Sequence, residues 1–317
     1  MPAHLSAAER PRAQPLRARL GVAALTLALT LTAAQAAPPN EPVIETDDVQ
    51  RFYALYDANG GKPSADQLQH YLDTGSPGLR LFAEKRRTTG TRIAEAIATQ
   101  PQVYTDARAC AQALPRVRAR LRAAMDKLGE LYPQAQFPPV TIAVGRAKPV
   151  GIGSPDSGVQ IGLEALCAAR VLNPDIEDRF VYVIAHEFVH VQQPASMTDA
   201  EGLTVLETSL VEGSAEFVTE LIAGEVAYAY LAGAVAGRER EIETAFAADM
   251  DKTDLSAWLY NTTPDKPGDL GYWVGYRIAK AYYRNAPDKQ AALKRILTMT
   301  DAKAFLAESG WTPGMKL

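Results

Sequence analysis

Two histidines stand four residues apart in His186-Glu187-Phe188-Val189-His190, within a stretch bracketed by Asn173-Pro174 and Pro194. Proline begins and ends helices far better than it continues them, so residues 175–193 are predicted to form one helix. Phe180, Val183, Ile184 and Val191 give that helix an apolar face to bury. Both imidazoles then project from one side, one turn apart. This H-E-x-x-H spacing suits two ligands on one tetrahedral zinc, with the intervening carboxylate beside them. Histidine is scarce here, four in 317 residues, and His70 stands close to Gln67 and Gln69 in a setting for a solvated side chain. His186 and His190 are therefore the expected ligands of Zn2+.

A zinc that performs chemistry keeps one position open and needs a third protein ligand. A further His at position 196 would complete one common pattern, but Ser196 stands there. The candidate is Glu212, in Leu210-Val-Glu-Gly-Ser-Ala-Glu-Phe217. It falls near the start of a second predicted helix, roughly residues 206–231. Glu212, Glu216, Thr219 and Glu220 make a polar stripe on it, while Leu210, Val211, Val218, Leu221 and Ile222 face a core. Gly213 has no side chain and would let this helix approach the metal helix closely. Glu216, one turn beyond Glu212, is placed to orient a ligating imidazole through its free ring N–H. Glu187 is placed to act as general base towards a zinc-activated water.

The chain opens on an address. Arg10, Arg12, Arg17 and Arg19 precede an uncharged run at 21–34, and Ala34-Gln35-Ala36 is an A-x-A cleavage site. Residues 1–36 are read as a signal peptide cut after Ala36, so the protein is expected to be periplasmic or secreted. The uncharged run is shorter than the ~20 residues that span a bilayer, so no stable membrane insertion is expected after its removal. Lys plus Arg is 33 and Asp plus Glu 37, a formal charge of −4, and the leader removes four Arg against one Glu. The exported chain is more acidic still, which excludes a nucleic-acid partner that needs a basic face. Cys110 and Cys167 are an even pair in an oxidising compartment. One disulfide and two buried thiols both remain open.

Residues 37–47 read as a flexible lead-in, 48–132 as an N-terminal helical region, and 133–317 as the zinc-site core, with 48–317 forming one continuous unit. Residues 139–144 are β-branched and predict a strand, and 159–163 alternate like a second, with a loop carrying Gly151, Gly153 and Gly158 between them. The expected class is α+β, mostly helical, with a small antiparallel sheet next to the H-E-x-x-H helix.

His-Glu-x-x-His followed, after residues 191–211, by Glu212-Gly-Ser-Ala-Glu216 resembles the gluzincin metallopeptidases. More closely, the chain resembles a bacterial family of predicted zinc-dependent proteases related to a gliding-motility lipoprotein family. Residues 186–193, 210–217, 258–261, 271–283 and 301–310 carry that likeness. The resemblance implies Glu212 as third ligand. It also implies a tyrosine aimed at the developing oxyanion, which Tyr272 in Tyr272-Trp-Val-Gly275 matches, with Tyr276 one turn on as the alternative. Arg277 reads as a structural ion pair rather than a substrate contact. An extended peptide would lie along a sheet edge, for which 159–163 is the expected strand. The Gly-x-Met-Glu-Asn element of the related aminopeptidases is absent, which favours endopeptidase action. The expected function is a zinc metallopeptidase acting on a peptide or protein substrate. The rivals are a zinc amidase acting on cell-wall peptides and a non-catalytic envelope protein with a structural zinc. Nothing in the sequence sets the oligomeric state.

Overall fold

In a computed structural model, residues 43–263 and 266–317 are described; the expected leader and residues 37–42 of the lead-in lie outside the described residues. Short helices dominate the first part because the sequence supplies a cap every ten residues or so. They are α1 (Asp47–Ala58), α2 (Ala65–Asp73), α3 (Pro77–Lys85), α4 (Gly90–Thr99), α5 (Pro101–Cys110) and α6 (Leu114–Leu131). Ser64 caps α2 in a reciprocal capping box with Gln67, and Ser76 and Thr89 cap α3 and α4. Each such cap contributes about 1 kcal/mol.

The sheet has four strands in the order β1-β2-β4-β3, with β1 at Ile44–Glu45, β2 at Val140–Ala143, β3 at Gly151–Ser154 and β4 at Gly158–Gly162. It is mixed rather than antiparallel as expected: β1 and β4 run parallel to β2, and only β3 and β4 are antiparallel. The physical reason is that the chain reverses twice after β2, once between β2 and β3 and again at the tight turn 155–157, so β4, inserted between β2 and β3, runs as β2 does. Two further expectations change with it. The strand at 159–163 is not an edge, because β4 is paired on both sides. The glycine-rich loop contains β3, whose outer edge pairs with no strand among the described residues. Ile44–Glu45, within the lead-in, form the short strand β1.

After α7 (Leu163–Ala168) the chain enters α8 (Ile176–Gln192), capped by the Asp175 side chain, which accepts from Asp178 N at 2.9 Å. This matches the predicted helix to within a residue at each end. The short α9 (Ala195–Thr198) leads to α10 (Val205–Ala223), opened by a Thr204–Glu207 capping box. The predicted helix at 206–231 ends earlier than expected, because Gly224 takes a left-handed conformation (φ 99°) and stops it. The remaining helices are α11 (Tyr230–Val235), α12 (Glu239–Asp249), α13 (Leu270–Asn285), α14 (Lys289–Leu297) and α15 (Ala302–Ser309).

The chain is thus mostly helical with a small sheet, an α+β fold. One continuous core runs from Phe52, Phe82 and Tyr104 through Val140 and Ile161 to Phe180, Phe246 and Phe305, all buried. Cys110 and Cys167 are joined as a disulfide that ties α5 to α7, their Cα atoms 6.0 Å apart. α10 and α13 cross in backbone contact. A β-carbon on Gly213 would overlap the backbone of Gly275 and Tyr276, and one on Gly275 would overlap the Ser209 carbonyl. Gly213 therefore admits α13, not the metal helix as expected. No helix among the described residues is long and apolar enough to cross a membrane.

Candidate metal centre

α8 and α10 lie side by side and bring the three predicted ligands together. His186 Nε2 and His190 Nε2 are 3.0 Å apart, and each lies 3.3 Å from Glu212 Oε2. The three donors all lie within 4.8 Å of one another and could hold a metal ion. Their outer sides are fixed from behind. His186 Nδ1 lies 2.7 Å from Glu216 Oε1, though off the ring's hydrogen-bonding direction. His190 Nδ1 lies 2.7 Å from Gln193 Oε1, and Gln193 Nε2 donates to the Val211 carbonyl at 2.8 Å. Each imidazole thus has an oxygen 2.7 Å from its Nδ1, hydrogen-bonded in the case of His190, and both Nε2 atoms face Glu212 Oε2.

Charge supports the same reading. Three carboxylates (Glu187, Glu212 and Glu216) surround two imidazoles, and no Lys or Arg is among the described residues lining the cavity. Burial opposes protonation of His186, but the adjacent carboxylates of Glu212 and Glu216 outweigh it and raise the pKa to about 10. Burial would push Glu212 up, yet His190 and His186 hold it well below the usual carboxylate range. Two imidazoles and a carboxylate around a pocket that favours positive charge are a donor set that fits zinc.

The centre opens into a cavity of about 360 Å³. Its walls include Glu187, β3 with the preceding Pro149 and Val150, and three tyrosines: Tyr228, Tyr260 and Tyr272. Glu187 is set among none of the three donors and faces the cavity. Burial raises its pKa, with His190 and His186 pulling the other way. β3 reaches this position only because it is glycine-rich: a β-carbon on Gly151 would overlap the Glu187 carboxylate, and one on Gly153 the Glu187 carbonyl.

The loop that feeds β3 is fixed by the N-terminal helices. The hydroxyls of Tyr71 and Tyr104 donate to the carbonyls of Val144 and Gly145 at 3.4 and 3.0 Å. The buried Glu164 carboxylate accepts from Gly145 N and Ala147 N at 3.0 and 2.9 Å, and Ala147 holds a left-handed φ of 63°.

Tyr272 is 4 % exposed, with its ring stacked on Tyr228 at 4.6 Å and parallel to His186 at 6.3 Å. Tyr276 is not at the centre: its hydroxyl donates to Glu220 Oε2 at 3.0 Å and accepts from Lys280 at 2.5 Å. The polar stripe therefore splits, with Glu212 and Glu216 at the histidines and Glu220 at Lys280. Arg277 is ion-paired to Glu243 at 2.5 Å and lies over the Trp273 ring. His70 is exposed. Sequence reasoning missed Tyr228, Tyr260 and Gln193. Gln193 alone carried a signal, standing three residues after His190 and so on the same helix face.

Residues 166–307 match a family described as predicted Zn-dependent protease (DUF2268). That segment contains all three donors and Glu187. No curated protein and no solved structure matches the chain.

Proposed function

We propose that the protein is an exported zinc-dependent metallopeptidase of gluzincin type, held by His186, His190 and Glu212 and using Glu187 as general base. The observation that carries this is a buried carboxylate, not among the donors, in the same cavity as a three-donor cluster, beside a strand edge that is unpaired among the described residues. A structural zinc is normally closed by four protein ligands, and a cavity with a spare acid is the opposite arrangement.

Zinc in this donor set would supply a Lewis acid that polarises the scissile carbonyl and makes water nucleophilic near neutral pH. The chain's own residues do the rest. An extended peptide hydrogen-bonds to the free edge of β3, which sets its scissile carbonyl beside the donor cluster. Glu187 takes the proton of the attacking water and passes it to the leaving amine. Glu216 and Gln193 keep the imidazoles aligned. Tyr272, a phenol kept protonated by burial, donates to the oxyanion.

The test is digestion of a mixed peptide library by wild type and Glu187→Gln, with zinc measured in both. Equal zinc, with cleavage reduced about 100-fold or more in the variant, supports the reading. Near wild-type turnover in the variant would sink the mechanism. Cleavage of cell-wall peptides alone would shift the assignment to an amidase.

A further inference from the structure

Glu212 has two oxygens, and the structure treats them differently. Oε2 lies 3.3 Å from both imidazole Nε2 atoms. Oε1 accepts a hydrogen bond at 2.9 Å from the hydroxyl of Tyr260. A free carboxylate could bind a cation through one oxygen or both; here one is already engaged.

Tyr260 is not a casual neighbour. It is 65 % exposed, among the few large hydrophobic side chains left on the surface. Its backbone is left-handed, φ 57°, a conformation that a bulky side chain seldom takes. Such strain persists only where the surroundings enforce it. The enforcing element is a clasp at the base of the loop that Tyr260 opens. Asn261 N donates to Asp269 Oδ1 at 2.9 Å, and Asp269 N donates to Asn261 Oδ1 at 2.7 Å. Asn261 Nδ2 also donates to the Ser256 carbonyl at 2.9 Å. Asp269, the other end of the clasp, is itself left-handed, φ 56°. Beyond it, Tyr230 bridges Thr262 and Asp269 at 2.7 and 3.3 Å. The ring of Tyr260 stands between the main cavity and a second cavity of about 250 Å³, lining both along with Thr198, Val211 and Glu212.

We infer that Tyr260 is a positioning residue of the metal centre: it occupies Glu212 Oε1, so that Glu212 ligates through Oε2 alone. The inference rests on the metal-site reading above. One-oxygen ligation would leave a bound cation a position for substrate, which ligation through both oxygens would take up. The clasp of Asn261 and Asp269 is what aims the phenol.

The experiment compares wild type, Tyr260→Phe and Asn261→Ala. Zinc affinity is read by competition with a chromophoric chelator, and coordination by the visible spectrum after cobalt(II) substitution. Circular dichroism verifies the fold of each. In wild type the cobalt spectrum is the intense one of four-coordination. In Tyr260→Phe it weakens towards five-coordination, and zinc affinity falls about 10- to 100-fold, as for other partners of metal ligands. Asn261→Ala, which leaves the phenol in place but frees its aim, moves the same way. Identical cobalt spectra and zinc affinities in wild type and Tyr260→Phe would overturn the assignment while leaving the metal centre intact. Failure of wild type to bind zinc or cobalt would instead overturn the metal-site reading itself.

Discussion

The carbonyl oxygen of Glu187 occupies the space in which a side chain on Gly153 would begin. β3 and α8 thus touch backbone to backbone at Glu187. Gly151 makes the companion contact, but with the Glu187 carboxylate rather than its backbone. The two glycines therefore fail differently. Gly153→Ala must push β3 off α8 and is expected to cost about 1–3 kcal/mol, visible as a lowered melting temperature. Gly151→Ala has only a side chain to displace, so hydrolysis should fall much more than stability. Full turnover in Gly151→Ala would show that Glu187 is not held where the edge strand places it.

Glu216 is buried on a helix interior behind His186. Glu216→Ala removes the carboxylate beside the Nδ1 of that imidazole and should weaken zinc binding about 10- to 100-fold. Competition titration checks this, and an unchanged affinity would reduce Glu216 to a packing role. Gln193→Ala, which frees His190 in the same way, should act in the same direction.

The α10–α13 crossing sets where Tyr272 stands. Gly275 meets the Ser209 carbonyl with no room for a methyl group. Gly275→Ala should separate the helices and lower stability by about 1–3 kcal/mol, with hydrolysis lost through Tyr272. Gly233→Ala, in open space, is the matched control and should cost little.

The disulfide spans a separation of 57 residues. In the chain-entropy account, closing a loop of that size contributes about 4 kcal/mol. Denaturant unfolding with and without reductant should show a lower midpoint on reduction. Cys167→Ser should match the reduced protein. An unmoved midpoint would mean that the bridge adds nothing to the native state.

The centre was legible because its information is local. H-E-x-x-H needs only a helix to align two imidazoles, and Asp175 and Pro194 fix that helix from nearby sequence. Glu212 and Glu216 follow from the same 3.6-residue repeat. What escaped depends on contacts between distant segments. The strand at Gly151–Ser154 has the composition of a loop; it becomes a strand by pairing with β4, and its glycines let it lie against α8. The mixed pairing follows from a turn that reinserts β4, which no periodicity announces. Gly213 was correctly read as a close-approach residue but assigned to the wrong neighbour, since spacing does not name a partner. Tyr260 sits in an irregular loop with a left-handed backbone, where no helical or strand period applies.

Tyr53 donates to the Tyr104 carbonyl at 2.9 Å, and Tyr104 in turn donates to Gly145 at the mouth of the loop that feeds β3. The recognisable stretch at 166–307 holds every donor, yet the wall opposite them hangs from helices more than forty residues upstream of it. A trimmed fragment could therefore carry metal and still be inert. Under the proposed function, loosening of the amino-terminal helices alone would have the same effect in the whole chain: an ion would stay, the substrate's track would be lost, and activity would become a report on the folding of residues remote from it.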